Sequence, residues 1–566
     1  MGLSTMQCPR QALAEAIDER NVVTTALAPP APCTRNVTRA VSSRGNQYLV
    51  ALAWSAIVIG CALRFVQLPT RVLFDDETVT QMRVAGYTAD RLWQTIYDGR
   101  QRTVRNLREF TTVDTRSTPA KVLASLATED AQHGPVFYLA ELAMTRSFGN
   151  GLLVWRLLPA LFGTLAVAAA YALARTVFLD PASGLFAAAL FAISPIERIY
   201  SEQAREYSLL SLCCLVATLL LVRARRSNTV GAWSLYAAII TAALFVSPLT
   251  GLVIAAHAAY IFAVGRSEPH ARLLRAYCVT VLAAVILYSP WLAELITHRS
   301  DIASTNAWSA QHWPFALLAA KWIFNIGSTL FDLEYIDLRW ATAFAIVAAG
   351  GVVAAVLAFR SVDREARWLL GCTIVVPALI LIVPDVVLGE HRSAVARYSL
   401  ATFGMLTILI GRGLVGRPVV ASIVMFGALA SCIVGSAHTA WWDNDSDADD
   451  ASIARIIDRQ SNAQLVSSAP PETILTFANV LDHSVRVSLT ASDGANIQFD
   501  RHDPLFVIDS DAATRNSLRR AEPIVLKPVS YKPATTAHDV GAKLGASSDP
   551  VNESRLYSAS SVVRFR

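Results

Sequence analysis

About eleven stretches of this chain are apolar enough to enter a lipid bilayer as helices, and that succession leaves few folds open. They centre on residues 47–66, 152–177, 183–199, 207–222, 231–247, 249–265, 275–293, 339–359, 367–384, 397–411 and 418–438. Inside a bilayer every backbone N–H and C=O must be satisfied within the protein, which restricts spanning structures to helices or closed barrels. The fold expected is an all-α polytopic membrane bundle of about 11 transmembrane helices. Of the 566 residues, 54% are hydrophobic and only 16% charged, against about a quarter charged in ordinary soluble domains. The net charge of +5 is too small, and too scattered, for a nucleic-acid partner.

Loop charges orient the bundle. With the N-terminal tail (Arg35, Arg39, Arg44) in the cytoplasm, the inner loops carry Arg223, Arg225 and Arg226; Arg266, Arg272 and Arg275; Arg360, Arg364 and Arg367; and Arg412 and Arg417. That is the pattern of the positive-inside rule. An odd number of crossings then puts everything after 440 outside, together with 67–134, 294–338 and 385–396. The short apolar stretches 135–149 and 314–331 read as helices lying at the outer interface.

Three parts follow: a cytoplasmic tail (1–45), a transmembrane region (46–440) with an outer-face loop at 67–134, and a small C-terminal α/β extracytoplasmic domain (441–566). The tail lacks the apolar core of a cleavable signal and has room for one short helix at 10–20. The acidic run within WWDNDSDADD reads as a solvated linker. In the last part ASIARIIDRQ is helix-like, whereas AQLVSS, ETILTF, SVRVSLT and PLFVIDS are strand-like. The eight cysteines, at 8, 33, 61, 213, 214, 278, 372 and 432, avoid that domain and show neither a disulfide framework nor metal-ligand spacing.

Asp75, Asp76 and Glu77 follow the first apolar run directly. Carboxylates at a membrane boundary are costly unless solvated, paired or used, which marks them as a candidate site. Three further ionisable groups fall on the same face: Glu129, Asp130 and His133; Glu197, Arg198, Glu202, Arg205 and Glu206; and Glu390, His391, Arg392, Arg397 and Tyr398. Carboxylates there could act as base, and Arg and His could hold an anion. Tyr87, Trp93 and RQRTVRNLRE (100–109) are candidates for substrate contact.

Five motifs in order give these residues a family. QHGPVFYLAELAMTRSFG (132–149) resembles the His-Pro-Pro-Leu-Tyr-Tyr segment ending in Phe-Gly of the C-type membrane glycosyltransferases, which include protein O-mannosyltransferases and lipid A aminoarabinose transferases. WRLLPALFGTLAVAAAYALARTVF resembles their Arg-Leu-Pro-Ala-Leu-Phe-Gly helix, and ISPIERIYSEQAREYSLLSL their Ser-Pro, Tyr-Ser, Ala-Arg-x-Tyr-Ser-Leu block. ARYSL (396–400) resembles the late Arg-Tyr motif, and Asp76-Glu77 the Asp-Glu pair after the first span. The likeness is good over 47–225, loose to 440 and slight beyond. Gly134 replaces the first proline of the Pro-Pro pair, and the phosphate-holding lysine of the aminoarabinose transferases is absent.

The resemblance implies inverting transfer of a sugar from a polyprenyl-phosphate donor to a glycan, lipid or protein acceptor at the extracytoplasmic face of the cell (inner) membrane. It implies that Asp76 deprotonates the acceptor, or binds a cation that does so, and that Glu77 orients it. A divalent cation, magnesium or manganese, would then sit on Asp76 and Glu77. His133, Arg205 and Arg397 would neutralise the leaving phosphate, with Glu202 and Tyr398 also binding substrate. The alternative is a transporter or flippase of a lipid-linked glycan, which would use charges near the bilayer midplane and related halves. The charges here sit at one face, and no half-repeat is visible.

Overall fold

The computed structural model describes residues 44–265, 270–332, 341–438, 449–491, 497–521, 524–529 and 555–561. The expected helix at 10–20, nearly all of the acidic run at 441–450, and Cys8 and Cys33 lie outside them. The chain divides into Met1–Gln47 and the unit described below, Tyr48–Arg566.

After α1 (Arg44–Leu63), the outer segment forms α2 (Asp75–Ala85), α3 (Ala89–Ile96), β1 (Asp98–Thr103), α4 (Val104–Arg108), α5 (Pro119–Glu129) and α6 (Pro135–Phe148). The bundle continues with α7 (Leu152–Phe178), α8 (Pro181–Ile193), α9 (Pro195–Glu202), α10 (Tyr207–Ser227), α11 (Val230–Leu244), α12 (Thr250–Gly265) and α13 (His270–Thr297). Next come α14 (Arg299–Thr305), α15 (Phe315–Gly327), α16 (Ala341–Ser361), α17 (Arg364–Leu388), α18 (Leu400–Leu414) and α19 (Pro418–Gly435). The last part contains α20 (Asp450–Ile457), β2 (Gln464–Ser467), α21 (Pro471–Ala478), β3 (Arg486–Thr490), β4 (Leu505–Ile508), α22 (Ala512–Ala521), β5 (Ile524–Pro528) and β6 (Leu556–Ser561).

Every apolar run is helical, but the helices are not equal. Among the described residues six are long and apolar enough to span a bilayer: α7, α10, most of α13, nearly all of α16, α17 and α19. The run at 183–199 is a broken span, α8 and α9 meeting at a bend of 57°. Proline explains the break, because Pro195 has no N–H to give and disfavours helical backbone at Ser194. The other four expected spans are shorter: the apolar part of α1 is Gln47–Leu63, α11 and α18 have 15 residues and α12 has 16. At 1.5 Å per residue these reach about 26 Å at most, less than the roughly 30 Å hydrocarbon core. Among the described residues, length and composition thus qualify six or seven of the expected spans as full ones in a polytopic bundle.

The α/β character of the last part is present, but its boundary at 441 is not a packing boundary. Its six-stranded sheet runs β1-β3-β2-β4-β6-β5, so one edge strand comes from the outer segment. β2 is parallel to β3 and β4, whereas β1 pairs antiparallel with β3, with Gln101 opposite Ser488. Met82, Leu92, Ile96 and Leu107 share one core with Ile453, Leu475, Phe477 and Val487. RQRTVRNLRE therefore serves the sheet: Arg108, for example, donates to the carbonyls of Ala478, Asn479 and Leu481 at 2.9–3.1 Å.

ETILTF, expected as a strand, is helix α21. Its alternating Thr, Ile and Phe suit a strand, but Pro471 and Glu472 begin a helix well, proline by its fixed φ and glutamate by the helix dipole. Packing decides the outcome. The Thr476 hydroxyl meets that of Thr78 at 2.7 Å, and Thr473 donates to Asp75 at 3.0 Å, contacts that set α21 against α2.

Gly134 shows why the expected proline is missing. Its N–H donates to the Val246 carbonyl at 3.1 Å and Val136 donates to that of Phe245 at 3.2 Å. A Cβ on Gly134 would run into the Phe245 carbonyl, and a proline would also lose the N–H. Gly134→Ala is expected to destabilise the protein by roughly 1–3 kcal/mol through overpacking, read as earlier thermal unfolding in detergent. An unchanged midpoint would mean that this contact is not tight.

Candidate active site

The acidic cluster begins a helix, and the helix distributes its members. Asp75, Asp76 and Glu77 form the first turn of α2, where negative charge is favoured by the exposed N–H groups. Successive residues project about 100° apart, so three neighbouring carboxylates reach three environments.

Glu77 points inward and is fully buried. Arg156 of α7 grips it with two bonds, 2.7 and 2.5 Å, and the N–H groups of Ala204 and Phe74 reach it at 2.7 and 3.2 Å. Arg156 also donates to the carbonyls of Leu68, Arg71 and Val72 at 2.8–3.1 Å. One ion pair thus fixes the loop after α1, the start of α2, helix α7 and the loop after α9. Asp75 faces α21, and burial pushes its carboxyl above the usual carboxylate range.

Asp76 faces a cavity of about 1540 Å³ that Arg205, Arg397, Tyr398 and His133 also line. Its side chain is 28% exposed, and the Arg397 guanidinium stands 3.7 Å from its carboxylate. Arg205 donates to the Asp76 carbonyl at 3.1 Å and lies 3.3 Å from Thr80 and 3.4 Å from the Tyr138 hydroxyl. His133 supports Arg205: its Nε2 meets Arg205 at 3.0 Å and its Nδ1 meets Glu206 at 2.6 Å. A guanidinium can only donate and a carboxylate can only accept, so this geometry assigns the proton to Nδ1 and makes Nε2 the acceptor. Arg397 is framed by aromatic rings, 5.5 Å from the Trp308 centroid and 5.7 Å from that of Tyr398.

The chain therefore brings together Asp76, His133, Arg205, Arg397 and Tyr398, which are distant in sequence. Two expected site residues lie elsewhere. Glu202 does not line the cavity; it is buried between Arg71 and Arg198, the latter at 2.6 Å, and two guanidiniums leave no oxygen for substrate. Glu77 is the other. Both its oxygens are engaged, so as placed it forms no cation site with Asp76, and among the described residues no group of three His, Cys, Asp or Glu side chains has metal-binding geometry. Glu129 and Asp130 are likewise committed to Arg83, at 2.6 and 2.5 Å. Burial opposes ionisation of Asp130, but Arg83 holds its carboxyl below the ordinary value.

Trp93 lines the cavity, whereas Tyr87 packs on Phe110 at 5.0 Å. Sequence reasoning gave no role to Arg156 or Trp308. Arg156 was legible in principle, as an arginine starting an otherwise apolar helix that must pair with a carboxylate. Trp308 carried no such signal.

In such a site, partly shielded from water, a carboxylate can take a proton from a hydroxyl and the guanidiniums can stabilise an oxyanion. Residues 132–293 match the family model of dolichyl-phosphate-mannose-protein mannosyltransferase, a stretch running from just before His133 through most of α13. No curated protein matches the chain. Among solved structures it is similar to ArnT from Cupriavidus metallidurans in the apo state, with TM-score 0.50 and 15% identity over 86% of this chain and 96% of that one. The same protein bound to undecaprenyl phosphate gives TM-score 0.51 and 13% identity over 92% and 98%. The chain is thus similar in fold to ArnT over most of its length, and residues 132–293 carry the likeness to the mannosyltransferase family model.

The different settings of Glu77 and Asp76 predict different mutants. Glu77→Ala strands a buried guanidinium and should cost about 3–5 kcal/mol, whereas Asp76→Asn at the cavity wall should cost at most about 1 kcal/mol. Thermal unfolding of the purified variants separates them, and equal losses would refute the division between anchor and reactive group.

Proposed function

We propose that the protein transfers a sugar, with inversion, from a polyprenyl-phosphate donor to an acceptor hydroxyl at the extracytoplasmic face. The observation that carries this reading is the Asp76 carboxylate 3.7 Å from Arg397, in a cavity that Arg205 also lines. The fold shared with ArnT, a protein crystallised with undecaprenyl phosphate, supports a donor of that class. In the reaction the acceptor oxygen attacks the anomeric carbon opposite the phosphate, and the bond from that carbon to the phosphate oxygen breaks. Asp76 takes the acceptor proton, an assistance usually worth about 10² to 10⁴ in rate. Arg205 and Arg397 neutralise the charge that grows on the leaving phosphate.

His133, with both nitrogens engaged, orients Arg205 and does not touch the phosphate itself. Glu77 positions α2, and Tyr398 borders the donor. The residues as placed do not fit a magnesium or manganese ion held by Asp76 and Glu77, because both Glu77 oxygens are taken by Arg156 and backbone N–H groups. A glycan, a lipid or a protein could supply the acceptor hydroxyl.

The arginine-rich alternate loops support a cytoplasmic N terminus and an extracytoplasmic cavity in the inner membrane. Pro470, Pro471 and Glu472 of the C-terminal part line the same cavity as Asp76, in keeping with both on one side. Reporter fusions after residues 226 and 460 should report opposite sides of the membrane, and a shared side would overturn this orientation.

Purified protein given a panel of polyprenyl-phosphate sugars, with products followed by mass spectrometry, tests the reaction. One sugar should be transferred, Asp76→Asn should lose most turnover while staying folded, and Asp75→Asn should retain it. Turnover by Asp76→Asn with loss in Asp75→Asn would move the base to Asp75. No transfer from any donor would contradict the reading.

A further inference from the structure

Arg64, just beyond α1, is fully buried and takes no part in the chemistry above. It lies at the break between α8 and α9. A proline break strands carbonyls that would otherwise accept from the amide four residues on. The Phe191 carbonyl faces that loss because position 195 is proline. Ala192 loses its partner too, because the Ile196 N–H donates instead to the Ser328 carbonyl at 3.1 Å.

Arg64 supplies both missing donors. Its guanidinium donates to the Ala192 carbonyl at 2.5 Å and to that of Phe191 at 3.2 Å. It also donates to the Gly60 carbonyl at 2.8 Å, and its Nε reaches the Ser201 hydroxyl at 3.3 Å. One planar cation thus joins the end of α1, the end of α8 and the body of α9.

Two glycines make room for it. A Cβ on Gly60 would run into the Ala192 carbonyl, and a Cβ on Gly163 into the Ser201 hydroxyl and to 3.3 Å from Arg64 Nε. Three residues beyond α9 stands Arg205, and the intervening loop is tied to the acidic helix through Ala204 and Glu77. The direction in which α9 leaves the break therefore sets where Arg205 arrives beside Asp76.

We propose that Arg64 is a positioning residue for the donor-phosphate site, acting through the break and α9 on Arg205. This rests on the proposed function, because it takes Arg205 as a phosphate ligand. Arg64 binds nothing itself; it fixes the angle of a broken helix whose far end carries the ligand.

Binding of undecaprenyl phosphate to the purified protein in detergent tests this without knowledge of the sugar. A lysine cannot reproduce the planar fork, so Arg64→Lys should weaken binding about tenfold, and Ser201→Ala, which removes one contact, about threefold. Arg225→Lys loosens a distant ion pair with Glu365 at the other end of α10. Compared at equal loss of thermal stability, it should leave binding within about twofold. If Arg64→Lys does not fold, Ser201→Ala and Gly163→Ala decide. Unchanged binding in the folded break variants, or an equal loss in Arg225→Lys, overturns the inference. Failure of the wild type to bind undecaprenyl phosphate instead overturns the functional reading beneath it.

Discussion

The buried pair of Arg156 and Glu77 holds this site together. An arginine inside an apolar helix bundle is costly unless its donors are taken up, and here a carboxylate and three carbonyls take them. Because those partners come from the loop after α1 and from α2, and the cation itself from α7, satisfying it fixes three chain segments at once. Asp76 is the next residue, so its direction into the cavity follows from the clamp on Glu77. Neighbouring acids with opposite fates, one saturated and buried, one half-open to the cavity, are a consequence of helical spacing at a protein–cavity boundary.

Similar reasoning accounts for the other buried arginines near the site. Arg83 is held by Glu129 and Asp130, Arg198 and Arg71 share Glu202, and Arg64 closes the carbonyls at the α8–α9 break. Each spends its donors on carboxylates or carbonyls of the protein itself. Arg83 also lines the cavity, but its donors are committed to Glu129 and Asp130, whereas Arg205 and Arg397 line it beside Asp76. Many arginines at the membrane boundary are thus scaffold, and a place in the cavity against Asp76 marks the pair suited to phosphate.

Hydropathy made the helices legible because an apolar run in a membrane protein has little alternative to being helical. It could not give their effective lengths or the bend at Ser194, which depend on caps, prolines and tertiary contacts. The motif order identified Asp76, His133, Arg205, Arg397 and Tyr398 as neighbours, although they span more than half the chain. Glu202 as a substrate ligand and Glu77 as a cation ligand do not match their places for one reason: sequence shows that an acid is present but not which arginine has claimed it. β1 escaped notice because Asp98–Thr103 is polar and contains Gly99 at φ 74°; it is a strand only because β3 offers it an edge. ETILTF failed in the opposite sense, with good strand residues turned helical by Pro471 and by contacts to α2.

The most direct test of the account is a cryo-electron microscopy structure of the protein with undecaprenyl phosphate. The account predicts phosphate density within hydrogen-bonding distance of both Arg205 and Arg397, on the Asp76 side of the cavity, with the Arg156–Glu77 pair intact. A phosphate bound out of reach of both guanidiniums, or a Glu77 released from Arg156 to meet the ligand, would contradict it.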